Sequence, residues 1–123
     1  MKKKIPLVLS SAQVNRETRL LVGGKAANLA RLSRAGERTP PWYVITAQAL
    51  RFAASKEPEL HSLQEELSRF ENDSSLAIIT AARIREKLQL LALPEPLTEE
   101  IQRQHEVSFS ARALVAVRSS ALD

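Results

Sequence analysis

The three glycines of this chain all fall in one stretch, Leu20 to Thr46, which reads LLVGGKAANLARLSRAGERTPPWYVIT. Left-handed turns that only glycine adopts without steric cost are therefore confined to it, and the stretch punctuates itself. Val22-Gly23-Gly24-Lys25 is a turn. Lys25 to Ala35 reads as a short helix: Ala26, Leu29, Ala30 and Leu32 share one stripe, while Asn28, Arg31 and Arg34 take the other side. Gly36 stands where a helix C-cap is expected. Pro40-Pro41 forbids further helix. Trp42 to Thr46, aromatic and β-branched, then reads as a strand.

A glycine pair ahead of a helix suggests anion binding. It lets the backbone come close to a ligand, the free amides of the first turn point at that ligand, and the helix dipole favours negative charge there. Lys25 adds a mobile point charge suited to phosphate oxygens. The stretch is not a Walker A loop, which needs glycine where Arg19 stands and Ser or Thr where Ala26 stands. Gly23-Gly24 also fits a plain tight turn beside a solvated lysine.

The charge distribution agrees with an anionic partner. Residues 1–38 hold nine Lys/Arg against two Glu, or +7, and residues 39–123 hold nine against twelve Asp/Glu, or −3. The positive end is the end with the glycine turn, so phosphate-bearing ligands are drawn there. Nucleic acid is the rival partner, but aromatic residues make up only 4%, which leaves few rings for base stacking. There is no cysteine, hence neither a disulfide framework nor a thiolate metal site. His61 and His105 form no local metal motif. Ile5 to Leu9 is too short, and interrupted by Pro6, for a signal-peptide core. No stretch approaches transmembrane length, and the expected address is the cytoplasm.

Along the chain, Ile5 to Leu9 is a candidate edge strand and Ser10 to Arg19 a loop. Thr46 is placed to N-cap a helix over Ala47 to Ser55. Leu60, Leu63, Leu67 and Phe70 line an amphipathic helix, and Leu76 to Leu91 a longer one. Leu93-Pro94-Glu95-Pro96 ends that helix, and Thr98 is placed to cap the next, in which His105 reads as an ordinary half-buried histidine. Ala113 to Val117 is continuously apolar and reads as a central, doubly covered strand that delivers Arg118 to its mouth. A charged residue there is either solvated or faces a cleft at the strand end.

Two separated segments, VGGKAANLARLSRAG…PPWYVIT and VAVRSSALD, together resemble the N-terminal ATP-binding domain of the phosphoenolpyruvate synthase and pyruvate phosphate dikinase family, which rifampicin phosphotransferases share. The resemblance implies an ATP-grasp-like fold. It implies that Lys25 and Arg118 bind the ATP phosphates, supported by the backbone at Gly23 and Gly24. Residues 1–123 would be the N-terminal portion of that domain, incomplete at its C-terminal end. The Mg2+ ligands, the phosphohistidine and the domains that complete the enzyme would then lie outside this chain, leaving no catalytic residue and no metal ligand within it. Trp42 departs from the pattern, standing where the family commonly has glycine.

The expected fold is α+β, with a small mixed sheet from strands near 5–9, 42–46 and 113–118 covered by about five helices. The expected function is the ATP-binding part of a dikinase-type phosphotransferase, phosphoenolpyruvate synthase-like, acting with ATP and Mg2+ on pyruvate or another acceptor. The alternative is a non-catalytic basic module that binds RNA or an acidic protein through residues 1–38.

Overall fold

The computed structural model describes residues 4–70 and 72–119. Two strands and five helices follow one another along them: β1 (Val8–Ser10), α1 (Gly23–Arg34), β2 (Tyr43–Ile45), α2 (Ala47–Ser55), α3 (Pro58–Arg69), α4 (Ser74–Gln89) and α5 (Glu95–Ser108), with short 3-10 turns at Ser11–Gln13 and Arg19–Leu21. Contacts divide the chain into two compact units, residues 1–50 with 95–123, and residues 51–94.

In the first unit β1 and β2 pair antiparallel, with Leu9 opposite Val44. Successive side chains of a strand alternate between its faces, and the pairing puts Leu9 and Val44, the buried centre of each strand, on one face. There they form a buried cluster with Val14, Val22, Ala26 and Ala30, against which Trp42 packs. Ala26 and Ala30 are one helical turn apart, and their small side chains let α1 lie close to the strands. Val14 and Val22 are essentially sealed from solvent, and burying a side chain of that kind stabilises by roughly 1.5–3 kcal/mol. The indole Nε1 of Trp42 is buried without a hydrogen-bond partner among the described residues.

The loop from Ser10 to Arg19 is tied to itself. The Asn15 side chain accepts from the Glu17 and Thr18 amides at 2.8 and 3.1 Å, and the Thr18 hydroxyl donates to the Gln13 carbonyl at 3.0 Å. The Arg34 guanidinium donates to the Val14 carbonyl, pinning this loop to the far end of α1. Helix α1 stops at Gly36, whose φ of +86° lies in the left-handed region that a side chain disfavours.

Several expectations change. Thr46 does not cap α2 with its side chain; its hydroxyl donates instead to the Pro6 carbonyl at 2.8 Å, closing the strand pair at its end. Helix α5 begins three residues before Thr98, with Pro96 in its first turn, where a missing amide hydrogen costs nothing. His105 has a partner that sequence proximity did not reveal: its Nδ1 lies 3.2 Å from the Tyr43 hydroxyl, and its ring is 5.0 Å from that of Phe109.

The third strand is the main correction. Among the described residues the sheet has two antiparallel strands and is not mixed. Ala113 to Arg118 is non-regular and open to solvent, with Leu114 and Val117 at 101% and 90% exposure. A continuous apolar run suits a strand with a neighbour on each side and a cover on each face. Two strands of three residues offer no such interior position.

The second unit is a helical pair. Helices α3 and α4 run antiparallel and bury Leu60, Leu63 and Thr80. Asp73 caps α4 by accepting from the Leu76 amide at 3.2 Å. Across the pair, Lys87 meets Glu59 and Arg83 lies 3.7 Å from Glu66. The Glu59–Lys87 contact holds the Glu59 carboxyl below its ordinary value and the Lys87 ammonium above its own, in both cases through the shared hydrogen bond first and the opposite charge second.

Candidate functional site

The start of α1 is built without the usual cap. Its N-cap residue is Val22, fully buried, which offers no side-chain acceptor, and the first turn holds no acidic residue. The first amides of a helix have no partner within the helix, and side chains such as Ser or Asp ordinarily serve them. Here a hydrophobic residue occupies that place because the core claims it. Gly23 is buried with φ +72°, so the chain turns into the helix through a conformation suited to glycine. Gly24 is exposed, and a Cβ built there would meet no atom within 4 Å. Open space therefore lies over Gly24, at the end of the helix that carries the positive dipole and the free amides.

Lys25 follows on the exposed side of the first turn. Its ammonium reaches across 94 positions of sequence to Ser119, donating to the backbone carbonyl at 3.4 Å and to the hydroxyl at 3.2 Å. Arg118 is the residue before Ser119 and is itself exposed. Lys25 at the head of α1 thus touches the residue that follows Arg118 in the chain, even though 113–118 is not a strand.

Sequence reasoning missed the remainder of this surface. A cleft of about 390 Å³ is lined by Arg19, Leu20, the glycine pair Gly23-Gly24, Ala27, Asn28 and Arg31. A neighbouring hollow shares Asn28 and Arg31 with it and continues to Arg34. The available signal was the spacing of Gly24, Asn28 and Arg31, which stand four and three apart and so share one helical stripe. Among the described residues no group of three or more His, Asp or Glu side chains is arranged to hold a metal ion, and no helix is long and apolar enough to cross a membrane.

Residues 19–123 match the family described as pyruvate phosphate dikinase, AMP/ATP-binding domain. The chain belongs to this family. A rifampicin phosphotransferase of Streptomyces sviceus is 38% identical over 116 residues, which cover 93% of this chain and 13% of that protein. A probable phosphoenolpyruvate synthase of Staphylothermus marinus is 32% identical over 116 residues, covering 89% and 14%, and one of Methanocaldococcus jannaschii is 31% identical over 106 residues, covering 82% and 9%. The chain thus spans about a seventh or less of the length of these relatives. No solved structure matches it.

Proposed function

We propose that this chain supplies part of the ATP site of a dikinase-type phosphotransferase, with Lys25 and Arg118 holding the phosphates and the Gly23-Gly24 backbone lying beneath them. The observation that supports this reading most is the contact between Lys25 and Ser119, which brings the glycine-turn lysine to the immediate neighbour of Arg118. On this reading an ammonium and a guanidinium share one elongated polyanion, the arginine forking onto two oxygens while the lysine acts as a point charge. ATP would come with Mg2+, which neutralises phosphate charge during transfer; its ligands would lie outside this chain. A histidine outside the chain would carry the phosphoryl group to pyruvate or another acceptor. The ATP-grasp-like architecture and the cytoplasmic address belong to the same reading.

Titration of the chain with ATP and Mg2+ tests it. A hydrogen bond to a charged partner contributes roughly 1.5–3 kcal/mol, so Arg118→Ala should weaken ATP by about ten- to a hundredfold at about 1.4 kcal/mol per decade. Arg118→Lys should recover part of this. ATP should be preferred to ADP and to RNA, and the chain alone should form no phosphoenolpyruvate from ATP and pyruvate. Unchanged ATP affinity in Lys25→Ala and Arg118→Ala, with the fold intact by circular dichroism, rejects the assignment of these two residues.

A further inference from the structure

We propose that the cleft beside the glycine pair is a second phosphate subsite, in which Arg19 and Arg31 grip the part of a nucleotide's polyphosphate chain that extends beyond Lys25. The proposal deepens the ATP reading and rests on it. It starts from two arginines, Arg19 and Arg31, and one carboxamide, Asn28, that line one hollow with the exposed Gly24 at its edge. No acidic residue lines that hollow, and neither arginine is in an ion pair among the described residues. Two like charges brought to one hollow repel each other, and an anion between them removes that repulsion.

The backbone fixes where the two arginines start. Arg19 opens the 3-10 turn that follows the self-tied loop, with Thr18, a member of that hydrogen-bond network, just before it. Arg31 sits seven residues after Gly24 on α1, about 10 Å along the axis at 1.5 Å per residue. Helical side chains lean toward the N-terminus, so a guanidinium from Arg31 returns toward the glycine pair. Arg34, the next arginine on the helix, is engaged by the Val14 carbonyl, which sets it apart from Arg31. Guanidinium groups suit phosphate because the planar fork makes two parallel hydrogen bonds, and the Asn28 amide can donate a third. Leu20, 76% exposed, forms an apolar rim at which water is more easily displaced.

The division of labour predicts selectivity by phosphate number. One phosphate is served at the head of α1 by the helix amides and Lys25, and further phosphates need the arginines. The experiment is calorimetric titration of the 123-residue chain with inorganic tripolyphosphate, ATP and AMP, for wild type, Arg19→Gln/Arg31→Gln, Lys25→Gln/Arg118→Gln, and a charge-matched control, Arg51→Gln/Arg85→Gln, at exposed positions that do not line the cleft. The cleft variant should weaken tripolyphosphate and ATP at least tenfold and AMP less than threefold. The control should change each less than threefold, and thermal melting should be unchanged in all four.

Affinities for tripolyphosphate and ATP that stay within threefold in the cleft variant overturn the subsite. If the Lys25/Arg118 variant nonetheless loses ATP, the assignment of those two residues to the phosphates stands without it. Retained ATP in the Lys25/Arg118 variant with a loss in the cleft variant does the opposite, leaving the cleft as the phosphate site and removing Lys25 and Arg118 from it. An equal loss in the control shows general electrostatics and overturns the subsite. So does wild-type chain that binds no tripolyphosphate at millimolar concentration, or that binds RNA in preference with a steep salt dependence.

Discussion

Val44 and Val117 sit in segments of nearly the same chemistry, yet one is 7% exposed and the other 90%. Both segments are short, apolar and rich in β-branched residues. What separates them is the supply of neighbours. Val44 faces Leu9 across an antiparallel pair and has α1 packed over it through Ala26 and Ala30. Val117 has the same preference for an extended backbone and, among the described residues, no paired strand. β-propensity measures how well a side chain fits a pleated, half-buried surface; without that surface the same residue is only an exposed hydrophobe.

The sharpest way to break this contrast is a matched pair of truncations. Val44→Ala should cost about 2 kcal/mol, from lost burial and the cavity left behind. Val117→Ala should fall within about 0.5 kcal/mol of wild type, as exposed substitutions do. Urea denaturation of the two variants measures both; equal losses would mean that the tail is as well packed as the strand. Gly36→Ala tests how the chain is returned from α1 toward β2. There is open space for the new methyl group, so the cost is the left-handed backbone alone, roughly 1–2 kcal/mol, again readable from urea midpoints.

A smaller effect is expected from Thr46→Val, which keeps the shape of a buried residue and removes the hydroxyl that closes the strand pair on Pro6. The loss should be about 1 kcal/mol, accompanied by faster hydrogen exchange at the Thr46 amide, which donates to Leu7 at 2.9 Å. The amides of 114–117 should exchange rapidly in every variant. The smallest effect belongs to the exposed Glu59–Lys87 contact in the helical pair. Because the Glu59 pKa is lowered from 4.5, its contribution is complete above pH 4.5 and is lost as pH falls through the lowered value. Because the Lys87 pKa is raised from 10.5, its contribution is complete below pH 10.5 and is lost as pH rises through the raised value. Glu59→Gln should flatten both limbs of the stability profile, by a small amount given the exposure of the pair.

Much of the fold was legible because its signals are local. The stripe of Ala26 and Ala30, the Gly36 stop, the β-branched run ending at Thr46 and the heptad-like spacing of Leu60, Leu63 and Leu67 each depend on neighbours within a turn or two. The illegible parts depend on distant residues. The apolar pattern of 113–117 states a preference, and whether a sheet edge exists to satisfy it is decided elsewhere. The partner of His105 is Tyr43, 62 positions away, and the Thr46 hydroxyl is drawn to Pro6, 40 positions away. At the candidate site, the glycine pair and Lys25 stood out as a motif. Arg19 and Arg31 did not, because exposed arginines are common and only the folded backbone shows that these two line one hollow.

Trp42 and Tyr43 are the chain's single tryptophan and single tyrosine, and both belong to the unit that contains the strands, while residues 51–94 contain neither. The molecule is therefore labelled by its own composition. Excited at the red edge of protein absorption, only one indole emits, and its colour reports whether it still packs against the cluster of Leu9, Val14, Val22 and the two alanines of α1. The helical pair is dark in such an experiment but contributes to far-ultraviolet ellipticity. Superimposing the two melting curves would reveal, without any added dye, whether the halves of this small protein come apart together or one before the other.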